Sequence, residues 1–141
     1  MGVMVSGSVK TGVAVPRDIM EEFEDLAKKL GYKSRSRAFQ DAVQLFITTH
    51  RWVGLSGLLA GCVVVIYNHE EHGVEERLTD IQHRFLDVIS AAMHIHLTST
   101  HCMLVITLRG DAGRVKDLYK ELSGIRGVTH IQPAFSLIPR D

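Results

Sequence analysis

Residues 54–67 form the longest nearly uninterrupted apolar run in the chain, and its 14 residues limit the fold more than any other feature. A membrane-spanning helix needs about 20 such residues, so the run predicts a buried element and no membrane partner. Val63, Val64, Val65 and Ile66 make it β-rich, which predicts a strand over residues 58–67. The downstream chain alternates between two periodicities. Residues 74–90 have helical spacing through Leu78, Ile81, Phe85, Val88 and Ile89, and residues 91–97 read as a strand. A turn over 98–101 leads to a second strand over 102–108. Residues 112–122 are helical through Val115, Leu118, Tyr119 and Leu122, and residues 128–138 form a last strand.

That order is β-α-β-β-α-β in about 80 residues, the split βαβ arrangement of ferredoxin-like domains. Upstream, residues 8–15 alternate with Thr11, Val13 and Val15 on one side and Lys10, Gly12 and Ala14 on the other. Pro16 ends the alternation, and a helix follows over 17–30 through Ile19, Met20, Phe23, Leu26 and Leu30. After Gly31, Ser34 or Ser36 can cap a second helix carrying Ala38, Phe39, Ala42, Val43, Leu45, Phe46 and Ile47. The lone short strand has no partner within this segment, so pairing with a second copy is expected. The fold class is therefore α+β. Its predicted parts are an N-terminal half over 1–51, a linker over 52–57 and a C-terminal domain over 58–141. Trp52, beside the linker, reads as a packing anchor.

Charge and cysteine content narrow the setting. Sixteen basic and sixteen acidic side chains balance, which excludes a protein that coats nucleic acid by bulk electrostatics but leaves room for a small reading head. Two cysteines cannot build a disulfide framework, and the N-terminus has no basic segment followed by an apolar block, so a cytoplasmic location is expected. Glycine-rich phosphate loops, G-x-S-x-G, H-E-x-x-H and closely spaced carboxylate pairs with a helper residue are missing from the sequence, so no enzyme is expected.

Seven of the eight histidines lie between His69 and His130. In a strand, residues i and i+2 face the same way, so His94 and His96 project together. Cys102 opens the next strand after a short turn. Two imidazoles and a thiol make a plausible metal set, although two half-exposed strand histidines would look the same. His83 falls on the polar face of its helix with Glu76, Thr79 and Asp87, so it is either solvated or turned toward another subunit. His69, His72, His101 and His130 read as ordinary loop or strand-end residues, and Cys62 as a small buried hydrophobe.

The chain resembles the nickel-responsive transcriptional regulators over nearly its whole length. The resemblance rests on G-Y-x-x-R-S at Gly31, Tyr32, Arg35 and Ser36 and on Y-x-H at Tyr67 and His69. It continues with Q-H-x-x-x-D at Gln82, His83 and Asp87, H-x-H at His94 and His96, and Cys102 six residues on. It implies a ribbon-helix-helix DNA-binding half joined to an ACT-like metal-binding and tetramerisation domain. It also implies a homotetramer, a dimer of dimers, acting as a repressor on double-stranded operator DNA. One Ni(II) per subunit would be held in a square-planar site by His94, His96 and Cys102 with His83 of a neighbour, and Tyr67, His69 and Gln82 would stand around those donors. Square-planar nitrogen and thiolate donors suit Ni(II) or Cu(II) better than Zn(II).

The same resemblance pairs two N-terminal strands into a ribbon in the major groove. Lys10, Gly12 and Ala14 would face the bases, and the start of the second helix at Arg35 and Ser36 would meet a phosphate. Gly12 and Ala14 stand where the family has longer polar side chains, so base readout is expected to be weaker or to rest on DNA shape. Arg37 stands where an acidic residue is common, which removes support for a second cation site between the domains. Leu104 replaces an acidic neighbour of the metal, so nickel binding is expected to be less tight. A nine-residue arm precedes Lys10. The rival expectations are an ACT-type small-molecule sensor and a metal buffer without operator specificity.

Overall fold

The computed structural model describes residues 7–139, so the first six residues of the N-terminal arm lie outside the described residues. The chain divides into two compact units, Met1–Gln44 and Leu45–Asp141. In the first unit α1 spans Arg17–Lys29, and α2 begins at Arg35 and runs on to His50 in the second. Phe23 packs against Phe39 at 4.6 Å between ring centres, and the Tyr32 hydroxyl donates to Asp41 at 2.8 Å. Ser34 caps α2, its Oγ accepting from the Arg37 amide. Ala38 is the one residue of this unit buried among the described residues. Leu26 and Leu30 remain 49% and 75% exposed, and Ile19, Val13 and Val43 are also exposed.

Residues 7–16 carry no secondary structure, whereas a strand was expected over 8–15. The reason is physical: a strand exists through its ladder, and the single chain supplies no partner for these backbone groups.

In the second unit a single turn of 3₁₀ helix, Arg51–Gly54, is followed by β1 (Leu58–Asn68), α3 (Val74–Arg84), β2 (Ile89–His96), β3 (His101–Asp111), α4 (Ala112–Ser123) and β4 (Val128–Leu137). The sheet is antiparallel in the order β2-β3-β1-β4, the ferredoxin-like arrangement. β1 alternates in burial: Leu59, Val63, Val65 and Tyr67 point into the core, and Cys62, Val64 and Ile66 point to the opposite face. With Cys102, Leu104, Ile106 and Leu108 of β3, the inward set packs on Val74, Leu78 and Ile81 of α3, Phe85 just beyond it, and Val115, Leu118 and Leu122 of α4. Pro133 sits within β4, an edge strand, where a missing N–H is tolerated. Gly61 is required for a different reason. A Cβ there would stand 2.0 Å from the Ala134 carbonyl oxygen of β4.

One boundary differs from expectation. α3 ends at Arg84, not Ser90, although Phe85, Val88 and Ile89 keep helical spacing. Residues 85–88 instead form a turn, in which the Val88 amide donates to the Phe85 carbonyl and the Val88 carbonyl accepts from the Arg109 amide at 2.9 Å, drawing the chain into β2 at Ile89. The expected linker over 52–57 opens on a core residue. Trp52 is 5% exposed and meets Tyr119 and Phe135 edge-on at 5.1 and 4.9 Å, so the anchor role holds.

Ion pairs tie α3 and the turn after it to α4. Arg84 pairs with Glu121, and Arg114 pairs with Asp87 at 2.8 Å. Hydrogen bonds from these guanidinium groups hold both carboxyls below their usual range. The native carboxylates therefore bind protons more weakly than the unfolded chain does. Their contribution is complete above the ordinary carboxylate values of about 3.9 to 4.3, and it is lost as pH falls through the lower native values. Thermal melting of metal-free protein should show this as an acid-side loss of stability, with a shallower dependence in Asp87→Asn/Glu121→Gln. An unchanged acid slope in that variant would refute it.

Candidate metal centre

The donors predicted on two strands come together through register. His96 lies opposite Cys102 in the β2–β3 ladder, and Cys102 lies opposite Tyr67 in the β1–β3 ladder. One row across the sheet thus reads Tyr67, Cys102, His96, with His94 two residues back on the same face. The hairpin that sets this register is closed by amides of Leu97 and Thr98 donating to the His101 carbonyl at 3.0 and 3.1 Å. Thr98 Oγ1 accepts from the amides of Thr100 and His101.

One donor atom from each of His94, His96 and Cys102 lies within 4.8 Å of the others. Cys102 Sγ is 3.4 Å from His96 Nδ1, and the two imidazole centres are 4.8 Å apart. Cys102 is fully buried while both histidines are exposed, so the set opens outward from a buried sulfur. Donors bound at about 2.0–2.3 Å to one ion stand about 3 Å apart when adjacent and about 4 Å apart when opposite. Small side-chain rotations therefore bring all three to a common ion, and the residues fit a thiolate- and imidazole-binding metal.

The Tyr67 hydroxyl sits 3.2 Å from His94 Nε2 and 3.5 Å from Glu75 Oε1. Burial first, then the negative charge of Cys102 and of Glu75, pushes its pKa up to about 12, so it stays a hydroxyl and can donate. A cleft of about 370 Å³ opens beside it, bordered by Glu75, Gln82, His94 and Leu104. Gln82 is anchored by its Nε2 donating to the Leu78 carbonyl at 3.1 Å. Leu104 faces His94 across the ladder and is part of the core, so no acidic group takes that position.

A second set, His69, Glu75 and Cys102, also lies within 4.8 Å and shares the sulfur. His69 Nε2 donates to the Ser99 carbonyl at 2.7 Å. Sequence reasoning missed Glu75. Its place in the first turn of α3 beneath the Y-x-H segment was the available signal. His83 is exposed and belongs to neither set.

Residues 60–136, over half of the chain, match the family model described as the NikR C terminal nickel binding domain. A nickel-responsive regulator of Methanocaldococcus jannaschii is 38% identical over 124 residues, 87% of this chain and 88% of that one. One of Dictyoglomus thermophilum is 40% identical over 122 residues, 86% and 90% of the respective chains. The chain belongs to the nickel-responsive regulator family. This is a family of regulators and not of enzymes, in line with the expectation from the sequence. The family match spans β1 through most of β4, so it contains the whole donor cluster. Among the described residues no helix is long and apolar enough to cross a membrane.

In the N-terminal unit, Lys10, Gly12 and Ala14 are exposed, and Arg35 and Ser36 stand in the first turn of α2. Arg35 pairs with Glu24 at 3.3 Å, and Arg37 with Asp41 at 3.2 Å.

Proposed function

We propose that this chain is a transcriptional repressor whose binding to double-stranded operator DNA is controlled by Ni(II). The observation that carries the reading is the convergence of His94, His96 and Cys102 on one sheet face, three donors where four are needed, while His83 stands exposed on α3. A tetramer supplies the fourth donor as His83 of a second copy and gives one Ni(II) per subunit. Bound there, the ion would tie subunits together without an open coordination position for catalysis.

Two surfaces support self-association. The first unit leaves Ile19, Leu26 and Val43 of its helices exposed, as a half-domain awaiting its twin would. In the second unit the sheet face carrying Cys62, Val64, Ile66, Met93, Ile95, Met103 and Val105 is only partly buried, which suits a dimer of dimers. Pairing of residues 8–15 from two chains would build the ribbon that presents Lys10, Gly12 and Ala14 to the major groove. Arg35 and Ser36 would then face the phosphates. The domain division 1–51, 52–57 and 58–141 remains the functional one in this reading, and the location is cytoplasmic.

The test is a gel shift on duplexes from the region upstream of the coding sequence, at fixed salt because phosphate contacts make affinity salt-dependent. Nickel should tighten binding within the usual coupling range of about 5–150-fold, and His94→Ala should remove that response while sparing metal-free binding. Lys10→Ala should weaken binding with or without metal. A change below about threefold, small beside ordinary coupling, would replace the repressor reading with the metal-buffer reading, which the lack of hydrogen-bonding side chains at Gly12 and Ala14 favours. Amino-acid-dependent assembly without metal would instead identify an ACT-type sensor.

A further inference from the structure

Arg114, in the first turn of α4, grips the segment that follows His83 at three places. Its Nε and Nη2 each donate to a carboxylate oxygen of Asp87 at 2.8 Å. Nη2 also donates to the Arg84 carbonyl at 2.9 Å. The guanidinium carbon lies 4.1 Å from the centre of the Phe85 ring, which is itself 2% exposed.

Each contact has a physical purpose. The Arg84 carbonyl belongs to the last turn of α3, where no amide further along the helix remains to bond it. The fork of two parallel bonds to Asp87 fixes orientation as well as distance. The ring contact sets the guanidinium plane on a side chain that cannot move without opening the core. His83 immediately precedes Arg84, and its own ring makes no hydrogen bond among the described residues. The direction in which that imidazole is presented therefore depends on how firmly the end of α3 is held.

We propose that Arg114 is a positioning residue for His83: by clamping residues 84–87 it fixes the last turn of α3, so that the exposed imidazole meets the metal of a second copy in one orientation. The inference rests on the reading of His83 as the fourth donor. An exposed ion pair alone contributes little to global stability, so the effect of Arg114 falls on metal binding and on the local order of the helix end.

The experiment uses the full-length protein and its Arg114→Met, His83→Ala and double variants. Nickel affinity is read by competition with a chelator, and metal-free protein is followed by hydrogen exchange of amides 85–89. Arg114→Met should weaken nickel by about tenfold or more, the range in which residues orienting a metal ligand act. It should also speed exchange at Phe85, Val88 and Ile89 with little change in melting temperature. In the His83→Ala background it should produce no further loss, and Arg114→Lys, which keeps the charge without the fork, should recover only part of the affinity. Asp87→Asn, which breaks the fork from the other side, should give the same pattern and stands in if Arg114→Met fails to fold. Equal weakening with and without His83, or no weakening while His83→Ala has a large effect, overturns the clamp. If His83→Ala itself leaves nickel affinity unchanged, the fourth-donor reading fails and takes the proposal with it, whatever happens to exchange.

Discussion

Cys102→Ser should abolish the thiolate-to-nickel absorption in the near ultraviolet and weaken nickel by more than about 100-fold. That bound exceeds the 10–100-fold range seen when only a neighbour of a ligand is lost. The sulfur is common to both donor sets, so neither can compensate for its loss. Serine nearly matches it in volume and finds hydroxyl and imidazole neighbours in Tyr67 and His96, so the metal-free fold should persist. Metal competes with protons for the thiol and the imidazoles, and affinity in the parent protein should accordingly fall on acidification. The result is checked by titration followed by absorbance, with circular dichroism as the control for folding. A spectrum unchanged by the substitution would remove Cys102 from the donor set.

The second large effect is on stability. Phe85→Ala should cost about 3–5 kcal/mol, as expected for emptying a well-packed aromatic site. Its ring is buried against the core and carries the Arg114 guanidinium on one face. His83→Ala, two positions earlier but exposed, should stay within about 0.5 kcal/mol in the metal-free protein, the usual range for surface changes. Chemical denaturation of both variants without metal separates them. Similar losses in the two would mean that α3 presents a different face to the sheet.

The contrast between these two residues shows what was legible in the sequence. The stripe Leu78, Ile81, Phe85 was visible as a periodicity, and so was the exclusion of His83 from it. The same periodicity misled at Ser90, because Phe85, Val88 and Ile89 keep helical spacing while tertiary hydrogen bonds to β3 end the helix at Arg84. His94, His96 and Cys102 were legible because a period of two and a short hairpin act over only nine residues. Glu75 was not, since its approach to Cys102 depends on how α3 docks on the sheet. The N-terminal strand was readable as a pattern, yet its formation needs a second chain. The core place of Trp52 could be guessed from its size, but its ring partners Tyr119 and Phe135 lie far along the sequence and could not.

The compactness of the donor hairpin has a consequence for the denatured ensemble. Closing a loop of about ten residues takes only about 10–100 ns, so the span from His94 to Cys102 repeatedly visits metal-binding arrangements even in a chain that has lost its core. Unfolded molecules therefore compete for the ion through the same three side chains. Binding to the unfolded state subtracts from ligand-linked stabilisation, so nickel protects the native protein against denaturation by less than its native-state affinity alone would give.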